Sequence, residues 1–197
     1  MSLLHNKSIV LTSVSGVWFL IVVLGSAALW QYKYTPGTDA LAPPTWPAAS
    51  KLQRAPDRPT LVLFVHPRCA CTQASLGELN RLMAHSQGLV SAQVVFFRPL
   101  GSAPGWAKGP LFTAALALDG VSVSEDEDGR EARIFSARTS GHVVLYDRSG
   151  QRIFDGGITA ARGHAGDNAG LNALLALLHR ETPQQQHTGV FGCPIQR

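Results

Sequence analysis

The chain has 197 residues, enough for one domain with a well-buried core plus appendages and short for two. It is 45% hydrophobic and 15% charged, with a net charge of +4 and a pI near 9.3. Its Lys and Arg residues are scattered singly, with no basic run interleaved with aromatics, which argues against nucleic acid as a partner and leaves weak attraction to anionic lipid.

After a short N-terminal tail, 1–8, residues 9–30 read IVLTSVSGVWFLIVVLGSAALW, an uncharged run long enough to cross a bilayer core as a helix. Trp30, Tyr32 and Tyr34 follow it, and amphipathic rings suit the headgroup level. A cleaved signal peptide competes, since Lys7 supplies a positive flank and Ser26, Ala27 and Ala28 offer small residues to a peptidase. The apolar run exceeds the usual signal length, so an uncleaved anchor is the preferred reading. Flanking charges nearly balance, with Lys7 before and Lys33 after. If the segment acts as an export signal, the chain is a single-pass protein of a bacterial inner membrane with its C-terminal domain in the periplasm.

Residues 31–59 carry Pro36, Pro43, Pro44, Pro47, Pro56 and Pro59 and read as a semi-extended linker, a stalk. A domain over 60–180 then begins with the strand TLVLFVH (60–66), which leads through Pro67 and Arg68 into Cys69-Ala-Cys71. A helix is predicted over 72–85, with Leu76, Leu79, Leu82 and Met83 as its apolar stripe and Glu78 and Arg81 between them. A buried strand follows at AQVVFF (92–97), whose lack of alternation suits the middle of a sheet. Next come a helical stretch over 106–118, a short strand at 121–124 and an acidic turn. A hairpin joins HVVLYD (142–147) to QRIFD (151–155) through Arg148-Ser-Gly150. The last helix spans 168–179, with Leu171, Leu174, Leu175 and Leu178 on one face and Asp167 as its N-cap. A tail, 181–197, carries Cys193.

This order, with a cysteine motif where the first strong strand passes into its helix, resembles the thioredoxin superfamily, and within it the membrane-anchored branch of TlpA- and ResA-like proteins. More narrowly, HPRCACT (66–72), TSGH (139–142) and GGITAARGHAGDN (156–168) resemble bacterial thioredoxin-like proteins labelled RedB. The resemblance implies an α/β, thioredoxin-like fold, a central mixed sheet flanked by helices, preceded here by one transmembrane helix. It also implies a role for Cys69 as the attacking thiol and for Cys71 as the resolving one, with Cys193 as its substitute. Two departures stand out. The superfamily motif is Cys-x-x-Cys, whereas Cys69 and Cys71 are one residue closer, and Gly141, after Ser140, stands where the superfamily has a cis-proline. His142 then falls close to the cysteine turn.

A thiol at a helix start meets unpaired amides and the positive end of the helix dipole, which favour thiolate, and Arg68 adds positive charge. Such a thiolate attacks disulfides or binds soft metals, so position alone does not choose. A disulfide within Cys-x-Cys closes a small ring and points to an oxidising or isomerising couple. Cys193 is the odd thiol, and it can fold back as a resolving partner or third ligand or remain a free surface thiol. His66 could complete a set with Cys69 and Cys71 for Cu(I) or Zn, or merely hydrogen-bond at a strand end. His164 sits in a glycine-rich connection whose composition permits close approach to the site or simple turns.

Three functions remain open: a membrane-tethered thiol–disulfide oxidoreductase acting on thiols or disulfides of exported proteins, a non-catalytic Cu(I) or Zn carrier, and a docking module without turnover. No phosphate loop, nucleophile elbow or pair of zinc clamps supports a nucleotide or hydrolase role.

Overall fold

The computed structural model describes residues 2–38, 40–103 and 105–196. They form two compact units, 1–35 and 36–197. The first is a helix, α1 (Ser2–Tyr34), longer than the apolar run that announced it. Its stretch Leu11–Tyr34 is long and apolar enough to span a membrane, and none of that stretch is buried by protein.

The second unit is built on β1 (Thr60–Val65), α2 (Ala70–Ser86), β2 (Ser91–Arg98), α3 (Pro110–Leu116), β3 (Val121–Glu127), α4 (Arg130–Ile134), β4 (His142–Tyr146), β5 (Arg152–Gly157) and α5 (Ala169–Leu178). The sheet order is β3-β2-β1-β4-β5. β1 runs parallel to β2, β2 parallel to β3, and β4 pairs antiparallel with both β1 and β5. β1 is central and every residue of it is buried, which is why its sequence shows no polar alternation. Leu61, Leu63 and Val65 point to the face covered by Leu76, Leu79 and Leu82 of α2 and by Leu171, Leu174 and Leu178 of α5. Val62 and Phe64 point the other way, into a second cluster with Phe135, Val144, Tyr146 and Ile195. Each such side chain contributes about 1.5–3 kcal/mol by leaving water.

Several expectations are corrected. The residues read as an acidic turn continue β3: Arg98 pairs with Glu125 (3.0 Å) and Glu127 (2.7 Å) across the parallel ladder. Asp126 accepts the N–H groups of Glu131 and Ala132, each at 2.9 Å, and so holds the start of the unforeseen α4. α3 is shorter than the stretch 106–118, because turns occupy residues 105–107 and Pro110 sets its first turn. The N-cap of α5 is Asn168, whose Oδ1 accepts from the Leu171 N–H (2.8 Å), while Asp167 accepts from the Asn172 side chain.

The proline-rich segment is not a free stalk from Pro36 onward. Ala42 is 2% exposed, and its N–H donates to Asp155 Oδ2 (2.7 Å). The Pro43 carbonyl accepts from the Tyr146 hydroxyl, the Pro44 carbonyl accepts from the Arg152 N–H, and Trp46 packs edge-on against Phe135 and Tyr146. Prolines suit this strap, since they offer carbonyls to an edge strand and leave no amide of their own unpaired. The C-terminal segment covers the same edge: Asp155 N–H donates to Gln186 O (3.0 Å) and Thr188 N–H to Asp155 O (3.2 Å). Between them, strap and tail close the edge that β5 would otherwise expose.

Candidate functional site

Cys69 is the N-cap residue of α2, extended at φ −94° and ψ 120°, with no capping hydrogen bond from its side chain. The turn before it is closed by Cys69 N–H to His66 O (3.1 Å), and Thr72 N–H donates to Cys69 O (3.0 Å). Directly opposite lies the loop before β4. Ser140 is fully buried; its Oγ accepts the His66 N–H (2.9 Å) and meets Thr72 Oγ1 at 3.0 Å. Gly141, at φ +97°, donates its N–H to Phe64 O (2.8 Å), a bond that a proline there could not make. Among the described residues no peptide bond is cis.

The tail completes the site. Residues 193–195 lie antiparallel to residues 138–140: Ser140 N–H donates to Cys193 O (2.8 Å), Ile195 N–H donates to Arg138 O (2.9 Å), and Thr139 bridges to Pro194. Gly192 rides so closely over the Ser140 carbonyl that a Cβ on it would fall far inside contact distance of that oxygen. Ile195 anchors the end, 3% exposed in the second core cluster. This placement brings Cys193 Sγ to 3.0 Å from Cys69 Sγ, about 1 Å beyond a covalent S–S bond. All three cysteines are free thiols; Cys69 and Cys71 are buried and Cys193 is partly exposed.

The three sulfurs have different acidities. Burial pushes the Cys69 thiol up, but the hydrogen bond from the Cys193 thiol and the backbone N–H groups of Cys193, Cys71 and Thr72 outweigh it, and the net shift is downward. Cys71 is raised by burial, then by the charge on Cys69 and by a side-chain hydrogen bond with it, with the Gly163 N–H and Arg162 acting the other way. Burial and the adjoining Cys69 sulfur push Cys193 up to about 12. The arrangement therefore favours one thiolate, on Cys69, which Cys193 supports as a hydrogen-bond donor.

The remaining sequence candidates separate. His66 stacks on Phe97 (5.7 Å between ring centroids) and meets Trp106 edge-on, while its Nδ1 accepts from Arg68 N–H (3.2 Å). Arg68 lies over the Trp106 ring, 4.3 Å from its centroid. The metal set of His66, Cys69 and Cys71 is not assembled: among the described residues no three His, Cys, Asp or Glu side chains are grouped to hold a metal ion. His142 turns to the opposite face of the sheet from α2, where its Nε2 lies 3.2 Å from Asp155 Oδ1 and it is 1% exposed. It belongs to that buried pair and not to the cysteine turn, because alternation along β4 sends it to the side of Val144 and Tyr146. His164 is exposed, with its N–H turned back to Ala161 O.

Two further side chains join the site, one of them in the glycine-rich connection whose composition permits close approach to it. Arg162 donates to the Gly192 carbonyl and so links the glycine-rich connection to the tail. That connection is itself tied to α2 by Glu78, 1% exposed, which accepts from Gly166 N–H (2.7 Å) and Asn168 Nδ2 (3.3 Å). In the sequence Glu78 reads as an outward residue; a charged side chain amid a leucine stripe is the only hint of its partnership.

Three consecutive parallel strands, a closing antiparallel hairpin, helices on both faces and a cysteine turn between β1 and α2 decide the architecture. The fold is thioredoxin-like. No protein-family model matches the chain, and no curated protein matches it. Among solved structures, an uncharacterised conserved protein of Geobacillus kaustophilus is similar at 19% identity and a TM-score of 0.61, over 83% of this chain and 93% of its own. A hypothetical protein of Sinorhizobium meliloti is similar at 18% identity and the same TM-score, over 83% and 98%. A secreted disulfide oxidoreductase of Mycobacterium tuberculosis aligns more loosely, at 16% identity over 61% and 82% with a TM-score of 0.44. At these identities the likeness concerns the thioredoxin-like fold alone.

Proposed function

We propose that this chain is a membrane-tethered thiol–disulfide oxidoreductase whose exchanging pair is Cys69 and Cys193, acting on exported protein thiols or disulfides from the periplasmic side of a bacterial inner membrane. The observation that carries the reading is the 3.0 Å approach of Cys193 Sγ to Cys69 Sγ across an antiparallel pairing of residues 193–195 with residues 138–140. A thiolate at a helix start beside a second thiol is the arrangement that disulfide exchange requires.

Closing the bond joins two sulfurs already adjacent, removes two electrons and releases their protons; the electrons pass to a disulfide of another molecule, which is reduced to two thiols. The lowered pKa of Cys69 stabilises the reduced state, which favours an oxidising couple. Cys71, one residue into α2, is the third thiol, and the resolving role assigned to it by its place in the motif passes to Cys193. The sealed position of Cys69 and the absence of an assembled three-ligand group among the described residues weigh against the metal-carrier reading.

The test is mild oxidation of the full chain in detergent with oxidised glutathione, followed by alkylation and peptide mapping. A Cys69–Cys193 disulfide with Cys71 alkylated is expected. A Cys69–Cys71 disulfide, or three alkylated thiols, would overturn the pair. A reporter active only in the periplasm, fused after Arg197, checks the compartment; its silence would refute the topology.

A further inference from the structure

We infer that the sulfur this protein presents to its partner is Cys193, on the tail, and that Cys69 is the sealed leaving sulfur. The inference rests on the Cys69–Cys193 pair proposed above and adds the order in which the two react and the seat of the partner.

Access separates the two sulfurs. Cys69 is 1% exposed, roofed by the tail whose backbone is pinned to residues 138 and 140. Cys193 is partly exposed and lines an open cleft of about 500 Å³ with His66, Arg68, Phe97, Trp106 and Pro194. Cys69 does not reach that cleft. A polypeptide thiolate arriving from solvent therefore meets Cys193 first.

In the oxidised protein the incoming thiolate forms a bond to Cys193 Sγ, the Cys69–Cys193 bond breaks, and the electron pair leaves on Cys69. The leaving sulfur in such an exchange departs faster when its thiol is more acidic, and Cys69 is the sulfur whose pKa the surrounding amides and the Cys193 thiol lower. A second thiolate of the partner then attacks the partner's own sulfur in the mixed disulfide; the pair leaves on Cys193, which takes up a proton. The partner dithiol has lost two electrons and become a disulfide, and the protein has gained them as a dithiol. A disulfide of another protein or of low molecular weight restores the bond by the reverse exchange.

The walls of the cleft indicate what sits beside the attacking thiol. Phe97, Trp106 and Pro194 offer apolar surface, and Arg68 is already held against the indole. An extended polypeptide with an aromatic or apolar residue next to its cysteine fits these walls.

The experiment uses the full chain in mild detergent, oxidised with oxidised glutathione and desalted. A reduced single-cysteine peptide with flanking aromatic residues is added, the reaction is stopped with acid, and remaining thiols are alkylated before peptide mapping. The peptide is expected on Cys193 with Cys69 alkylated, in ~10-fold or greater excess over the reverse, given the leaving-group preference. Peptide on Cys69 or Cys71 would overturn the inference while leaving the pair standing. Failure of the protein to form the Cys69–Cys193 bond before the peptide is added overturns the pair, and this inference with it. A peptide with glycines in place of its aromatics is expected to react about 3-fold more slowly or worse, from the lost apolar burial; equal rates would refute the cleft as its seat.

Discussion

Gly192→Ala tests whether the tail's seat sets the redox potential. The new Cβ would overlap the Ser140 carbonyl oxygen and lie 2.9 Å from its carbon, both backbone atoms that cannot swing away. The tail must rise from residue 192 onward. Two backbone hydrogen bonds are then lost, Ser140 N–H to Cys193 O and Ile195 N–H to Arg138 O, together with the burial of Ile195. At about 1 kcal/mol for each bond and about 1.5–3 kcal/mol for the side chain, the tail loses roughly 3–5 kcal/mol of local stability. That energy lowers the effective concentration of Cys193 at Cys69, so the disulfide becomes easier to reduce. At about 1.4 kcal/mol per decade the equilibrium constant falls by roughly 2 to 3.5 decades, or ~60–100 mV toward a more oxidising potential. Titration against glutathione redox buffers, read by the mobility of alkylated protein, measures the midpoint. A midpoint within ~15 mV of the parent would refute the claim that tail pairing holds the two sulfurs together.

Two further outcomes follow from buried polar groups. Ser140→Ala strands the His66 N–H and removes the hydroxyl that faces Thr72, and it should lower unfolding stability by about 1–3 kcal/mol in urea titration of the intrinsic tryptophan fluorescence; an unchanged midpoint would show that water replaces the hydroxyl. Asp155 binds the strap through Ala42 N–H and faces His142, His187 and Arg152. Burial raises its pKa, but hydrogen bonding and charge from His142, the Ala42 N–H and Arg152 win, leaving it below the ordinary carboxylate value. Its ionised form thus contributes stability that is complete above about pH 5 and is lost as pH falls through the unfolded value, near 4, toward the folded one. Asp155→Asn should be less stable at neutral pH and should lose less on acidification below about pH 4 than the parent; parallel pH–stability curves would sink that account.

The central strands and the two main packing helices were legible because apolar residues dictate them locally. Continuous runs at β1 and β2 mark strands buried on both faces, and the leucine spacing in α2 and α5 marks the faces that cover them. The cysteine turn was legible for the same reason, since it falls where one pattern changes to the other. The strap and the site were harder. Proline content at residues 36–59 fixes an extended backbone, but an extended segment is a stalk or a strap according to whether an edge strand lies within reach, and only the fold supplies β5.

What the sequence by itself determined is a long apolar helix at residues 9–30, the strand and helix order of the core, and the placing of Cys69 at a helix start, all consequences of local periodicity and of backbone rules. The tertiary structure brought a third sulfur to Cys69. Cys71 is its near neighbour along the chain and Cys193 is 124 residues away, yet the pairing of residues 193–195 with residues 138–140 brings the distant one to 3.0 Å. Likewise His142 went to Asp155 on the far face of the sheet, and Glu78 turned inward to hold the glycine-rich connection. Those choices depend on hydrogen bonds between segments remote in sequence, whose partners no local pattern records.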